Sequence, residues 1–117
     1  MKLPKFLTNK KYSRGQQVHH CKKCNDTSFA LLENKIRPDI VVSDLDGDEV
    51  SLKKIGKMNT IMVVHAHADN LDKLELVSNF KNCVGTTEAK SFGKIHNFGG
   101  FTDGDRCVFL AHHFKAK

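Results

Sequence analysis

Residues 41–50 read VVSDLDGDEV, an apolar run that ends in three aspartates, Asp44, Asp46 and Asp48, at alternate positions. In an extended chain alternate side chains share a face, so this spacing crowds like charges onto one side at the end of a buried strand. Two carboxylates about 4 Å apart repel by roughly 4 kcal/mol at an effective dielectric of about 20, a large part of a small domain's stability. A positive group is therefore expected beside them.

Working outward from that stretch, the same kind of apolar run recurs along the chain. DIVVS (39–43), TIMVVH (60–65), CVGTT (83–87) and KIHNF (94–98) each read as a strand. Helical patterns separate and follow them. TSFALLEN is a short helix capped by Asp26 or Thr27 and ended by Pro38, and SLKKIGKM is a weak one. NLDKLELVSNF places Leu71, Leu74 and Val77 on one stripe. A last helix is capped by Thr102 with Asp105 at the third position, and Cys107, Leu110, Ala111 and Phe114 form its apolar face. Strands of continuous Val and Ile alternating with amphipathic helices predict an α/β fold, a mostly parallel sheet with helices on both faces. Ligands bind such sheets at the carboxyl ends of the strands. The polar clusters fall there: DLDGD, HAHADN (65–70), GTTE (85–88) and GGFTDGDR (99–106).

At 117 residues and 39% hydrophobic content the chain fits one globular domain, and its net charge of +6 invites a nucleic-acid reading until it is located. Of the 19 Lys and Arg, seven lie in residues 1–24 without a single acid; residues 25–117 hold 12 against all 13 Asp and Glu, a net of −1. The basicity belongs to an N-terminal tail, expected to be mobile, with an RNA- or phosphate-binding arm as the sharper alternative. The domain is expected in residues 25–117. No apolar signal segment follows the N-terminal charges, and the longest apolar run, CVFLA, is too short to span a membrane, so a cytoplasmic protein with no membrane partner is expected. Reduced thiols follow from that compartment. Cys83 and Cys107 sit in apolar segments and read as packing residues, whereas HHCKKC offers His19, His20, Cys21 and Cys24 as zinc ligands in cramped local geometry.

The four loops put up to six carboxylates on one edge, those of Asp44, Asp46, Asp48, Asp69, Asp103 and Asp105. Oxygen-only ligands suit Mg²⁺ or Ca²⁺, and short loops beside glycines suit Mg²⁺ carried in with phosphates. An EF-hand is excluded, because the sixth position from Asp44 is Glu49 rather than Gly and the twelfth is Ile55. GGFTDGDR sets Gly99, Gly100 and Thr102 where a strand feeds a helix, with free N–H groups expected to point outward at a positive helix end and Arg106 one turn in. HAHADN also matches the zinc loop of metallo-β-lactamases, but Asn70 stands where that loop has His and the chain is short for that sandwich. DLDG after a strand likewise matches haloacid dehalogenase-like phosphatases, yet Asp48 replaces their Thr and no later Asp pair completes their site.

Taken together, DIVVSDLDGD, VVHAHADN, GTTE and NFGGFTDGDRCVFLAHHF resemble the archaeal MptE-like 6-hydroxymethyl-7,8-dihydropterin pyrophosphokinases and, more distantly, thiamin pyrophosphokinases. The likeness covers residues 27–117 in unbroken order. It implies a Rossmann-like domain that moves diphosphate from ATP to the hydroxymethyl group of a reduced pterin, with Mg²⁺, in tetrahydromethanopterin or folate synthesis. By the same resemblance Asp44 and Asp46 are the Mg²⁺ pair, Asp69 with Asn70 completes the acidic cluster, and Thr86 and Thr87 line the nucleotide side. Gly99, Gly100, Thr102, Asp103 and Arg106 form the substrate and phosphate loop. His65 and His67 match the family motif, their role open between core packing and general base catalysis. The chain departs from the family at both ends: the basic tail stands where a strand with its own acidic loop is expected, and it stops where another strand follows. It reads as a truncated or remodelled member, with a non-catalytic nucleotide- or metal-binding remnant as the alternative and self-association expected through exposed sheet edges.

Overall fold

The computed structural model describes residues 19–20 and 24–116, with side chains from residue 29 onward. It contains five strands: β1 (His19–His20), β2 (Ile40–Ser43), β3 (Ile61–His65), β4 (Cys83–Thr86) and β5 (Ile95–His96). Its α-helices are α1 (Cys24–Glu33), α2 (Glu49–Lys57) and α3 (Asp103–His113), and a 3₁₀ segment covers Ala68–Asn79. The strands form a single parallel sheet in the order β1-β2-β3-β4-β5. The expected parallel α/β fold is what the chain adopts.

That sequential order decides where the helices lie. Each crossover steps to the next strand in the same direction, and right-handed crossovers that never reverse place their helices on one face. On that face Val41, Met62 and Val64 of the strands pack with Leu52 and Ile55 of α2 and with Leu76 and Phe80, while Leu32 of α1 closes the end. The other face carries the alternate strand residues, Val42 and Val63, under Cys107 and Leu110 of α3, with Phe98 and Phe114 at the margin. Both sides of β2 and β3 are therefore buried, which is why their sequences run Val-Val without polar alternation. The first face is packed tightly: a Cβ on Gly56 of α2 would lie 2.1 Å from the Phe80 ring.

Several details differ from the sequence reading. Helix α1 starts at Cys24, so Asp26 and Thr27 lie within its first turn rather than capping it. The stretch read as a tail contributes β1, whose His19 and His20 pair with Val41 and Val42; residues 1–18 and 21–23, and with them Cys21 of the suggested zinc cluster, lie outside the described residues. Leu71 is 63% exposed, because the 3₁₀ segment is kinked at Asn70 and its packing falls to Leu74, Leu76 and Val77 beyond the kink. Cys83 is exposed at the start of β4, while Cys107 is buried as expected. Among the described residues no helix is long and apolar enough to cross a membrane.

Candidate active site

The carboxyl ends of β2 to β5 and the start of α3 meet on one edge of the sheet, and the first loop there is not the extended zigzag its spacing suggests. Leu45, between Asp44 and Asp46, has φ of +68° and turns its side chain into the core, where it is 1% exposed. Ser43 Oγ accepts from Leu45 N at 3.0 Å, and Asp44 Oδ1 accepts from Asp46 N at 3.3 Å. This turn brings Asp44 and Asp46 together. Asp48 leaves the group: it is the N-cap of α2, its Oδ2 accepting from Ser51 N at 2.8 Å.

Asp103, in the first turn of α3, joins the pair from the other side. Burial, then the charges of Asp44 and Asp46, push its carboxyl up to about 6. Burial and the bond with Asp44 likewise raise Asp46. Burial works against the charged form of Asp44 too, but hydrogen bonds from Asp46 and the nearby His67 outweigh it and hold Asp44 below its ordinary value. A cation beside these carboxylates would favour their ionised forms, and an all-oxygen donor set of this kind suits Mg²⁺. The side chains are not preassembled as a cage: among the described residues no three His, Cys, Asp or Glu stand at metal-binding separations.

Asp69 is not brought into this group. Its side chain is 93% exposed, and among the described residues its one charged neighbour is His67 Nδ1, at 3.9 Å. Asn70 is buried and serves as a bracket: its Nδ2 donates to Asp44 O at 2.6 Å and His65 O at 2.8 Å, while its Oδ1 accepts from His67 N at 3.1 Å. It ties the ends of β2 and β3 together and faces away from solvent. His67 caps the 3₁₀ segment through Nδ1 and lies 3.7 Å from Asp44 Oδ2 through Nε2.

The phosphate loop also differs from expectation. Gly99 and Gly100 both have φ of +92°, and a Cβ on Gly100 would come within 2.7 Å of Arg106 N, so the strand can meet α3 this closely only through glycine. However, the N–H groups here are largely engaged. Asn97 Oδ1 accepts from Gly99 N, and the Asp105 carboxylate accepts from Phe101 N and Thr102 N in a capping box with Thr102. The first-turn N–H groups of Asp103 and Gly104, which lack helical partners, and that of Gly100 are the positions left to receive an anion. Arg106 turns inward instead of outward. It is 9% exposed, and its Nη2 donates to the Phe101 carbonyl and, at 3.1 Å, to Glu88 Oε1.

Two site residues escaped the sequence reading. Glu88 meets both Arg106 and, at 3.6 Å, His65 Nε2. Asn97 fixes the loop that carries Glu88, its Nδ2 donating to Glu88 O at 2.8 Å and Ala89 O at 3.1 Å. Thr86 is buried, bonded to Val64 O and His65 Nδ1 at 3.2 Å each, and so orients His65. Thr87 lines the cleft beside it.

A family model described as 6-hydroxymethylpterin diphosphokinase MptE-like matches residues 23–117. The chain belongs to the MptE-like family. It is similar to the 6-hydroxymethyl-7,8-dihydropterin pyrophosphokinase of Methanocaldococcus jannaschii, 51% identical over an alignment of 94 residues, with 75% of this chain and 39% of that protein covered. The proteins of the same name from Pyrococcus furiosus and Methanothermobacter thermautotrophicus are 51% and 48% identical, covering 75% and 70% of this chain and 38% and 36% of theirs. The chain thus spans less than two-fifths of the length of these MptE-like relatives.

Proposed function

We propose that the chain forms the metal- and phosphate-handling surface of a 6-hydroxymethyl-7,8-dihydropterin diphosphokinase, passing diphosphate from ATP to the pterin's hydroxymethyl oxygen and releasing AMP. The observation that carries this reading is the meeting of Asp44, Asp46 and Asp103, where burial and then the neighbouring carboxylate charges push the Asp103 carboxyl up to about 6, and a cation would offset both. The family and the names of its relatives supply the acceptor; a step in tetrahydromethanopterin or folate synthesis, in the cytoplasm, belongs to the same proposal.

In this reading Asp44, Asp46 and Asp103 hold Mg²⁺, which supplies neutralisation of charge on the phosphate oxygens. The chain's own groups do the positioning. Burial and neighbouring charge raise the Asp46 and Asp103 carboxyls, so a bound cation would favour their ionised forms. Asn70 holds the Asp44 turn at a fixed distance from β3, and the N–H groups of Gly100, Asp103 and Gly104 receive phosphate oxygens. Phosphoryl transfer asks for such positioning and charge neutralisation rather than a protein nucleophile.

Incubating the chain with ATP, Mg²⁺ and 6-hydroxymethyl-7,8-dihydropterin, with ³¹P NMR of the products, tests this. AMP and a pterin diphosphate are the expected products. ATP binding without AMP release assigns the chain the role of a non-catalytic remnant, and no ATP binding at all ends the reading.

A further inference from the structure

Between the strand ends and α3 lies a narrow cleft lined by His65, Thr86, Thr87, Phe98, Gly99 and Arg106, with room for about one water-sized group. Two side-chain atoms buried against it have no hydrogen-bond partner among the described residues: His65 Nε2 and Arg106 Nε. Such groups are costly to leave unpaired, about 1–3 kcal/mol each, so their lack of partners here calls for an explanation.

The chemistry of each atom follows from its neighbours. Thr86 has one hydroxyl hydrogen, which it donates to Val64 O; its bond to His65 Nδ1 then forms only if Nδ1 carries the imidazole proton. His65 Nε2 is therefore a bare acceptor, and it faces another acceptor, Glu88 Oε1, at 3.6 Å. Burial, then the Arg106 charge, keep the ring neutral, with His67 acting in the same sense and Glu88 and Asp44 opposing. Arg106 Nε–H is a donor only. The cleft thus presents one buried acceptor, one buried donor and space for a single small group. A hydroxyl satisfies both, donating its hydrogen and accepting through its oxygen, as the water it would displace also can. An anionic oxygen has no hydrogen for Nε2, and a methyl group serves neither.

We propose that this cleft seats the hydroxyl of the acceptor alcohol, Arg106 Nε–H holding its oxygen while His65 Nε2 takes its proton as the oxygen attacks. The inference rests on the diphosphokinase reading and adds two roles to it. As the new O–P bond to the β-phosphorus forms, the O–H electron pair stays on oxygen and the proton passes to Nε2. The bond from the β-phosphorus to the α–β bridging oxygen breaks, and AMP leaves with that electron pair. The imidazolium so formed lies against the Glu88 carboxylate, which makes Glu88 a positioning residue.

The test uses the full chain and two probes, 6-hydroxymethyl- and 6-methyl-7,8-dihydropterin. The hydroxymethyl compound should bind about tenfold tighter and move the ¹⁵N signal of His65 Nε2, while the methyl compound leaves that signal in place. Equal affinities and a still Nε2 signal overturn the subsite; if diphosphate transfer persists, the parent reading stands without it, and absence of transfer and of binding by either probe sinks both. His65→Gln should lower kcat about 100-fold or more with the KM for ATP unchanged, and a loss under threefold would overturn the role. Since His65 is buried, Glu88→Gln serves as a variant on the accessible side: removing the charge that raises the His65 pKa should shift the acid limb of kcat to lower pH. An unmoved limb counts against the proposal.

Discussion

The two halves of the site are incomplete in different ways. Asp44, Asp46 and Asp103 are bonded, partly exposed and short of positive charge. His65 and Arg106 are buried, close to electrically settled beside Glu88, and short of hydrogen-bond partners. The first deficit is one that protons or a cation can fill; the second needs a group of definite donor and acceptor pattern. Metal should therefore act on one half with little effect on the other, and a neutral ligand should do the reverse.

Asn70 belongs to both halves, and removing it should produce the largest effect. Asn70→Ala leaves Asp44 O, His65 O and His67 N without their partner, an expected loss of about 3–5 kcal/mol. Urea unfolding should show a lower midpoint at an unchanged slope. A loss below about 1 kcal/mol would mean that the two halves are held independently.

Asp46→Asn separates them. It removes one charged ligand and should weaken Mg²⁺-dependent ATP binding about tenfold, near 1.4 kcal/mol, in calorimetry. Without metal it should raise stability slightly by relieving repulsion within the trio. Unchanged Mg-ATP affinity would take the aspartate turn out of the site.

A pH series sharpens the same contrast. The Asp103 carboxyl stands at about 6 in the fold against an ordinary 3.8, so its protonated form is the one the fold favours. Its contribution is complete below about 3.8 and is lost as pH rises through about 6, so metal-free stability should fall across that window. Because the group is only half-buried, solvent screening limits the fall to about 1 kcal/mol. Mg²⁺ should flatten the curve, and Asp103→Asn should abolish it. Thr102→Ala, which removes only the cap of α3, should cost about as much, near 1 kcal/mol, at every pH.

The parallel sheet was legible because both faces of β2 and β3 are apolar, and the C-terminal capping box because its residues are local neighbours. The spacing of Asp44 and Asp46 pointed to their proximity through an extended chain, but the chain turns there, and a core leucine with positive φ holds them together. Asp69 sits in a family motif yet points to solvent, and Asn70 looks like a ligand yet is consumed by three backbone groups. Such assignments depend on which neighbour a side chain meets across the sheet, and spacing does not contain that. Glu88 and Asn97 were missed for the same cause. In sequence they are ordinary polar loop residues, and only the approach of α3 to the β4 and β5 ends gives them partners.

Among the described residues helix α3 supplies the helical cover of the second sheet face, through Cys107 and Leu110, and it also carries Asp103 and Arg106. Shedding that one helix would strip the binding groups and uncover a wall of the core in the same motion. Hydrogen exchange in β2 and β3 should then slow whenever the site is filled, so that occupancy can be read from amides that never touch a ligand. For this chain, residence of a small molecule and the tightness of the sheet beneath it become a single measurable property.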